Sequence, residues 1–353
     1  MNRNDLALKK FREGTFIPAH PLALTEDRKL DLEGQRLLTR YYLNSGVGGL
    51  AVAVHTTQFE IRDKDINLLE PILKLAMEEI ETFEIETGSV IVRIAGVCGP
   101  LEQAKEEAKL AKKLGYDAVL LSPGGLNHLS EEDLLVRGRE VGTIIPVIGF
   151  YLQESVGGRA FTYDFWEKFC EIPNVIGVKS APFNRYQTLD VVRAATLSSR
   201  ADEIALYTGN DDNIVLDLLT KYKFTKEGVT YEKGFVGGLL GHWSVWANTA
   251  VTMFHRIKEE AKKEKIDSEF LTLAMEVTDC NAAFFDTANG FKGCIAGLHY
   301  VLQRQGLMKG IWCLNKEETL SPGQMEELER VYRMYSHLSD DDFILKNIDS
   351  WKS

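Results

Sequence analysis

Apolar and polar positions alternate between two rhythms along this chain. Short, unbroken apolar runs rich in β-branched residues alternate with longer stretches in which apolar residues recur every three or four positions. The first kind predicts buried strands and the second predicts helices. Residues 15–24 read as extended and are broken by Pro18 and Pro21. Residues 31–44 carry Leu32, Leu37, Leu38 and Tyr41 on one helical face, with Gly46 just beyond. The apolar run 49–54 follows, then a helix over 66–83 and a strand over 89–95. An amphipathic helix over 101–114 is stopped by Gly115, as fits a glycine just past a helix end. A strand over 117–121 precedes Ser130-Glu131-Glu132-Asp133, which has the form of a capping box. Beyond it come a strand over 145–151, a helix over 162–170 and a strand over 175–178 that closes on Lys179. A helix over 186–196, a strand over 203–207, a helix over 211–222 and a Gly-rich strand over 234–240 complete the alternation. From Trp243 the strand signals stop, and residues 243–263, 268–288, 291–305 and 323–337 all read as helices.

Eight strands separated by helices predict an α/β fold. The strands are continuously apolar rather than alternating, as expected when both sheet faces are covered. The pattern fits a (β/α)8 TIM barrel over residues 1–242 with a C-terminal helical extension over 243–353. An open doubly wound sheet is the competing topology. It is weakened by the lack of a G-x-G-x-x-G after the first strand. No internal repeat or low-complexity segment is present.

Composition narrows the function classes. Hydrophobic residues make up 44% and charged residues 26% of the 353, with a net charge of −11. That balance argues against a general nucleic-acid or anionic-membrane binder, since both select basic surfaces. It leaves room for a small anionic substrate in a locally positive site. The five cysteines (Cys98, Cys170, Cys280, Cys294 and Cys313) form no C-x-x-C pair and no zinc-spaced cluster, which suggests a reducing compartment. The polar first 13 residues lack the apolar core of a signal peptide, and no run approaches membrane-spanning length. The expectation is a cytoplasmic protein.

In a barrel of this kind chemistry sits at the C-terminal ends of the strands. The residues expected there are His20, His55-Thr56-Thr57, Ser122-Pro123-Gly124-Gly125, Tyr151, Lys179, Gly209-Asn210-Asp211 and Gly237-Gly238. A lysine closing an apolar strand places its amine in an apolar mouth. Desolvation there favours the neutral amine, which can attack a carbonyl and form a Schiff base. Alone, such a lysine more often snorkels to solvent. A neighbouring strand that ends in Tyr151 shifts the balance.

At these residues the chain resembles the dihydrodipicolinate synthase / N-acetylneuraminate lyase family of class I aldolases. Ile176-Gly177-Val178-Lys179 matches the family's strand-six I-G-(I/V)-K, and Tyr151 is aligned with its strand-five tyrosine. His55-Thr56-Thr57-Gln58 partly matches the G-T-T-G-E loop, His20-Pro21-Leu22 stands for T-P-F, and Gly209-Asn210-Asp211 stands for G-x-D. The likeness runs over roughly residues 14–245. It implies that Lys179 forms an imine with a 2-oxo acid, most simply pyruvate. It further implies that Tyr151 relays protons and that Thr56 and Thr57 hold the carboxylate. Lys179 and Tyr151 are then the expected catalytic pair. Thr56, Thr57, His20, His55, Gly209 and Asn210 are the expected substrate-binding set. Departures are clear: Gly124-Gly125 replace the family's P-Y-Y tyrosines, His55 replaces a glycine, and the arginine after the strand-five tyrosine is displaced, with Arg159 nearest.

The reading is a Schiff-base lyase, aldolase or hydro-lyase that uses no cofactor and no metal, with a 2-oxo acid as its small-molecule partner. The likeness and the helical tail point to a homo-oligomer, a dimer or tetramer. Dihydrodipicolinate synthase proper is an alternative, disfavoured by Gly124-Gly125. A catalytically silent ligand-binding barrel and a metal-dependent hydrolase using His20 and His55 are alternatives of other classes. Asn210 and Asp211 could serve only as a helix cap. The acidic runs Glu78-Glu79-Glu81 and Asp340-Asp341-Asp342 read as solvated faces.

Overall fold

The structure is a computed structural model that describes residues 2–352. Seven strands follow one another as β1 (Phe16–Pro18), β2 (Gly49–Val52), β3 (Val92–Val97), β4 (Ala118–Leu121), β5 (Val147–Leu152), β6 (Val175–Ala181) and β7 (Ala205–Thr208). A hairpin of β8 (Tyr222–Lys226) and β9 (Val229–Lys233) intervenes before β10 (Gly237–Leu240). The eight-stranded sheet has the order β1-β10-β7-β6-β5-β4-β3-β2, and every pairing in it is parallel. A bridge from Ala19 to Ala51 joins its two edges, with the His20 N–H donating to the Ala51 carbonyl at 2.8 Å. The sheet thereby closes on itself, and the (β/α)8 barrel expected from the pattern is the fold observed.

Helices α1 (Arg3–Glu13), α2 (Leu32–Asn44), α3 (Leu69–Thr87), α4 (Leu101–Lys113), α5 (Glu131–Gly142), α6 (Tyr163–Cys170), α7 (Arg185–Leu197) and α8 (Ile214–Leu219) accompany the strands. The capping box at Ser130 opens α5 as expected, with Ser130 Oγ accepting the Asp133 N–H at 3.1 Å. The C-terminal part comprises α9 (Ala247–Glu260), α10 (Glu269–Phe284), α11 (Cys294–Arg304), α12 (Gln324–Met334) and α13 (Asp341–Trp351). Among the described residues no helix is long and apolar enough to cross a membrane.

The barrel interior is filled by alternate residues of each strand, including Ile17, Ala51, Ile94, Leu120, Ile148, Tyr207 and Leu239. Its N-terminal end is plugged by Phe11 of α1. That ring stacks on Tyr207 with centroids 4.4 Å apart, and the Tyr207 hydroxyl donates to the Phe11 carbonyl at 2.7 Å. The sequence pattern did not announce α1, because its buried residues are only Ala7 and Phe11, a single i, i+4 pair rather than a stripe.

Three further expectations need correction. The helix expected over 211–222 is only α8, and Tyr222 instead opens the hairpin. Glu227 and Gly228 form the hairpin's two-residue turn, both at positive φ (52° and 79°), as a right-twisted hairpin requires. The acidic runs are not wholly solvated. Asp340 is 3% exposed and accepts the Tyr41 hydroxyl at 2.7 Å, while Glu79 ties Arg36 and Arg40 of α2 to α3 at 2.6 and 2.7 Å. Lys179 does not close its strand, since β6 runs on through Ser180 and Ala181.

Candidate active site

A bulge in β6 decides what faces the barrel mouth. Val175 pairs with Val147 but Gly177 pairs with Ile148, leaving Ile176 as one extra residue opposite that step. Side chains alternate strictly along a strand, so one inserted residue moves everything beyond it to the other face. Lys179 and Ala181 therefore point inward with Phe150 and Leu152, and all four line a pocket enclosing about 610 Å³ of space, mouth included.

Lys179 pairs across the strands with Phe150, and its Nζ stands 4.3 Å from the Phe150 ring centroid. The residue is 8% exposed. Among the described residues no acceptor or carboxylate lies within bonding distance of Nζ. Burial lowers the amine from 10.5 to about 8, against the opposing pull of Asp211. Gly209 permits this placement, because a Cβ there would stand 2.5 Å from Lys179 Cε and 2.8 Å from the Ala181 Cβ.

Asp211 faces the same pocket. Its Oδ1 accepts the His242 N–H at 2.9 Å, while Oδ2 has no partner among the described residues. Burial raises its carboxyl to about 7, resisted by the His242 N–H and by Lys179. Two oppositely charged groups thus face one small cavity, each with its pKa moved toward neutrality. His55, in the turn after β2, also lines the pocket, and burial followed by the nearby Lys179 lowers it to about 4. It is a neutral imidazole at physiological pH.

The remaining expected residues divide. Thr56 lines the pocket. Thr57 lies behind it, fully buried, its hydroxyl donating to the His20 carbonyl at 2.6 Å. His20 turns away from the pocket toward α2. Its Nε2 lies 2.8 Å from Thr39 Oγ1, its Nδ1 lies 2.8 Å from the Pro21 carbonyl, and it is fully buried. Asn210 is equally buried, with its amide donating to Asp217 and Thr188 and its oxygen accepting the Phe183 N–H. It shapes the loop beside the pocket. Arg159 donates to the Leu129 carbonyl at 2.6 Å and does not line the pocket.

Tyr151 requires a correction. It pairs with Ser180, one step out of phase with Lys179, so its ring points outward against Phe161 and Trp166. Its hydroxyl accepts the Phe161 N–H at 3.1 Å. The inward position is held by Phe150, and no tyrosine lines the pocket. The period of two carried the signal: Tyr151 is an odd number of residues from Ile148, whose side chain fills the barrel. What the sequence reading did not assign to the site at all is its far wall, built from Phe285, Phe291, Cys294, Ile295 and Leu298 of the C-terminal part. Those residues are more than a hundred positions from Lys179, and no local pattern links them to it.

Fold and site together define a (β/α)8 barrel with a desolvated lysine at the C-terminal mouth. The dihydrodipicolinate synthetase family model matches residues 14–330, and the chain belongs to that family. A probable 5-dehydro-4-deoxyglucarate dehydratase 2 of Streptomyces coelicolor is 28% identical over 207 residues, which are 57% of this chain and 59% of that protein. The N-acetylneuraminate lyase of Mediterraneibacter gnavus is 24% identical over 230 residues, 64% of this chain and 65% of the lyase. The chain thus matches roughly three fifths of the length of these curated relatives. The dihydrodipicolinate synthase structure from Oceanobacillus iheyensis superposes with a TM-score of 0.73 at 14% identity, covering 95% of this chain and all of that one.

Proposed function

We propose that this protein is a Schiff-base lyase acting on a 2-oxo acid. The observation that carries the reading is Lys179: an amine at the barrel mouth, desolvated, without a hydrogen-bond partner among the described residues, and lining a pocket. The neutral amine adds to the ketone carbon, and loss of water gives the imine. The imine then draws the electrons of an adjacent bond as that bond breaks, which serves aldol cleavage and dehydration alike. Membership of a family whose named relatives include a lyase, a dehydratase and synthases supports this chemistry. Thr56 is the residue we assign to the substrate carboxylate.

The proton transfers need a carrier within the cavity. We assign them to Asp211, which lines the cavity with Oδ1 anchored by the His242 N–H, and we assign Tyr151 no part in them. His55, neutral, is placed to donate or accept a hydrogen bond to a substrate oxygen. No cofactor enters this scheme. A homo-oligomer in the cytoplasm completes the reading. All five cysteines are unpaired, which supports a reducing compartment. Leu271 and Met275, one turn apart on α10 and 56% and 57% exposed, support self-association.

Borohydride trapping tests the central step. Incubation with pyruvate, reduction and peptide mapping are expected to place the added mass on Lys179. Folded protein that traps no 2-oxo acid there removes the reading.

A further inference from the structure

The wall of the pocket beyond Lys179 is apolar to an extent that restricts the substrate. Six side chains form most of that wall: Leu152, Val156, Phe183, Phe285, Phe291 and Leu298. Phe183 and Phe291 meet edge to face with ring centroids 5.8 Å apart. Both hold positive φ, 52° and 68°, a conformation unfavourable for a bulky residue that persists only where surrounding structure enforces it. Side-chain hydrogen-bonding groups in the pocket are confined to His55, Thr56, Gln153, Lys179, Asp211 and Cys294. Imine formation, carboxylate binding and proton transfer occupy Lys179, Thr56 and Asp211. The Cys294 thiol is held protonated by burial, a weak donor at most.

We infer that the substrate carries an aromatic or branched aliphatic group beyond its 2-oxo acid head. A 4-hydroxy-2-oxo acid with such a group on C4 matches the chemistry of this lining. The inference rests on the Schiff-base reading and specifies its substrate class. The cleavage balances without a further reactant. The C4 hydroxyl proton passes to Asp211, the C3–C4 bond breaks, and an aldehyde bearing the apolar group leaves. The bonding pair becomes the enamine on Lys179, which regains the proton at C3. Water then hydrolyses the imine to pyruvate and free Lys179. A polyhydroxylated chain in the same place finds only His55 and Gln153 among phenylalanine and leucine, and every hydroxyl those two do not reach is stranded. Each stranded hydroxyl lowers occupancy by about tenfold or more.

Competitive trapping decides the matter. The protein is given an equimolar mixture of 2-oxo-4-phenylbutanoate and 4,5,6-trihydroxy-2-oxohexanoate, reduced with borohydride and digested. The two adducts on the Lys179 peptide are then weighed against each other, with any pyruvate adduct formed by cleavage of the trihydroxy acid, which carries the C4 hydroxyl, counted together with its own. The intrinsic reactivity of the two acids is normalised on N-acetyl-lysine. The phenyl adduct is expected to exceed the other by about tenfold for each hydroxyl left stranded. Equal adducts, or an excess of the trihydroxy adduct, overturn the inference. So does trapping of pyruvate with neither longer acid. Absence of any adduct, pyruvate included, sinks the Schiff-base reading itself. In Phe291→Asn, whose side chain tolerates positive φ, the phenyl preference is expected to fall at least fivefold while pyruvate trapping persists. An unchanged preference would count against the apolar wall as its source.

Discussion

Replacing Asp211 by asparagine separates two tasks assigned to one cavity. An amine with a pKa of 10.5 is neutral about 0.03% of the time at pH 7, and one lowered to about 8 is neutral roughly 10% of the time, a gain of about 300-fold in nucleophile. Asp211 works against that gain, because its charge favours the ammonium. The asparagine keeps nearly the same volume and an oxygen for the His242 N–H, but it carries no charge and cannot take a proton. In Asp211→Asn the pKa of Lys179 is therefore expected to fall below its value in the native protein. The acid limb of pyruvate trapping moves to lower pH, and trapping at pH 7 is at least as fast. Turnover of a cleavable 2-oxo acid should drop by about 10²–10⁴-fold, the usual contribution of a positioned proton carrier. The assay is a pH series of borohydride trapping run beside single-substrate turnover on the same preparations. Turnover within threefold of wild type, or a trapping limb that shifts to higher pH, would refute the reasoning.

Other substitutions probe the same architecture. Lys179→Met should abolish trapping and raise Tm at pH 7. The folded state holds the amine at about 8 rather than 10.5, so charging it in the fold costs up to about 3 kcal/mol. That penalty builds as pH falls from the unfolded pKa to the folded one and is constant below it. The Tm difference should therefore shrink as pH is raised above about 8 toward 10.5, and a lower Tm at pH 7 would contradict the account. Gly209→Ala, with its Cβ 2.5 Å from Lys179 Cε, should slow trapping by at least tenfold and lower stability by about 1–3 kcal/mol, read by denaturant titration. Tyr151→Phe should leave turnover within threefold of wild type. Its measurable effect should be a stability loss of about 1–3 kcal/mol, from the Phe161 N–H left without its acceptor. A turnover loss above 100-fold in that variant would return the tyrosine to the chemistry. Phe11→Ala, which opens the plug of the barrel floor, should cost about 3–5 kcal/mol.

The barrel was legible because its strands are buried on both faces. Continuous apolar runs such as Val147–Leu152, spaced evenly by amphipathic helices, leave few alternatives, and the family likeness at Ile176-Gly177-Val178-Lys179 agrees with them. Lys179 could be singled out for the same reason, since a charge at that point of an apolar strand needs an explanation. The hairpin β8–β9 was not legible. Its positions are exposed or half-buried, and only Tyr222 and Phe224 pack against the core, too few to impose a readable pattern. Asp340 and Glu79 misled for the opposite reason. Charged residues in runs normally face water, and partners far away in the chain bury them here: Arg36 and Arg40 for Glu79, and Tyr41, Asn248 and Gln305 for Asp340.

By itself, then, the sequence determined the class of fold, the family and the lysine, because each is written in local composition and order. The direction of Lys179 at the mouth was decided by tertiary structure alone. The single extra residue at Ile176 reverses which face Lys179 occupies, and strand register then selects Phe150 as its neighbour and turns Tyr151 outward. The assembly of the pocket was decided in the same way. The Gly209–Asp211 loop and the pair Phe285 and Phe291 come from segments far from each other and from Lys179 in the chain. Only closure of the barrel and packing of the C-terminal helices over its mouth bring them to one amine.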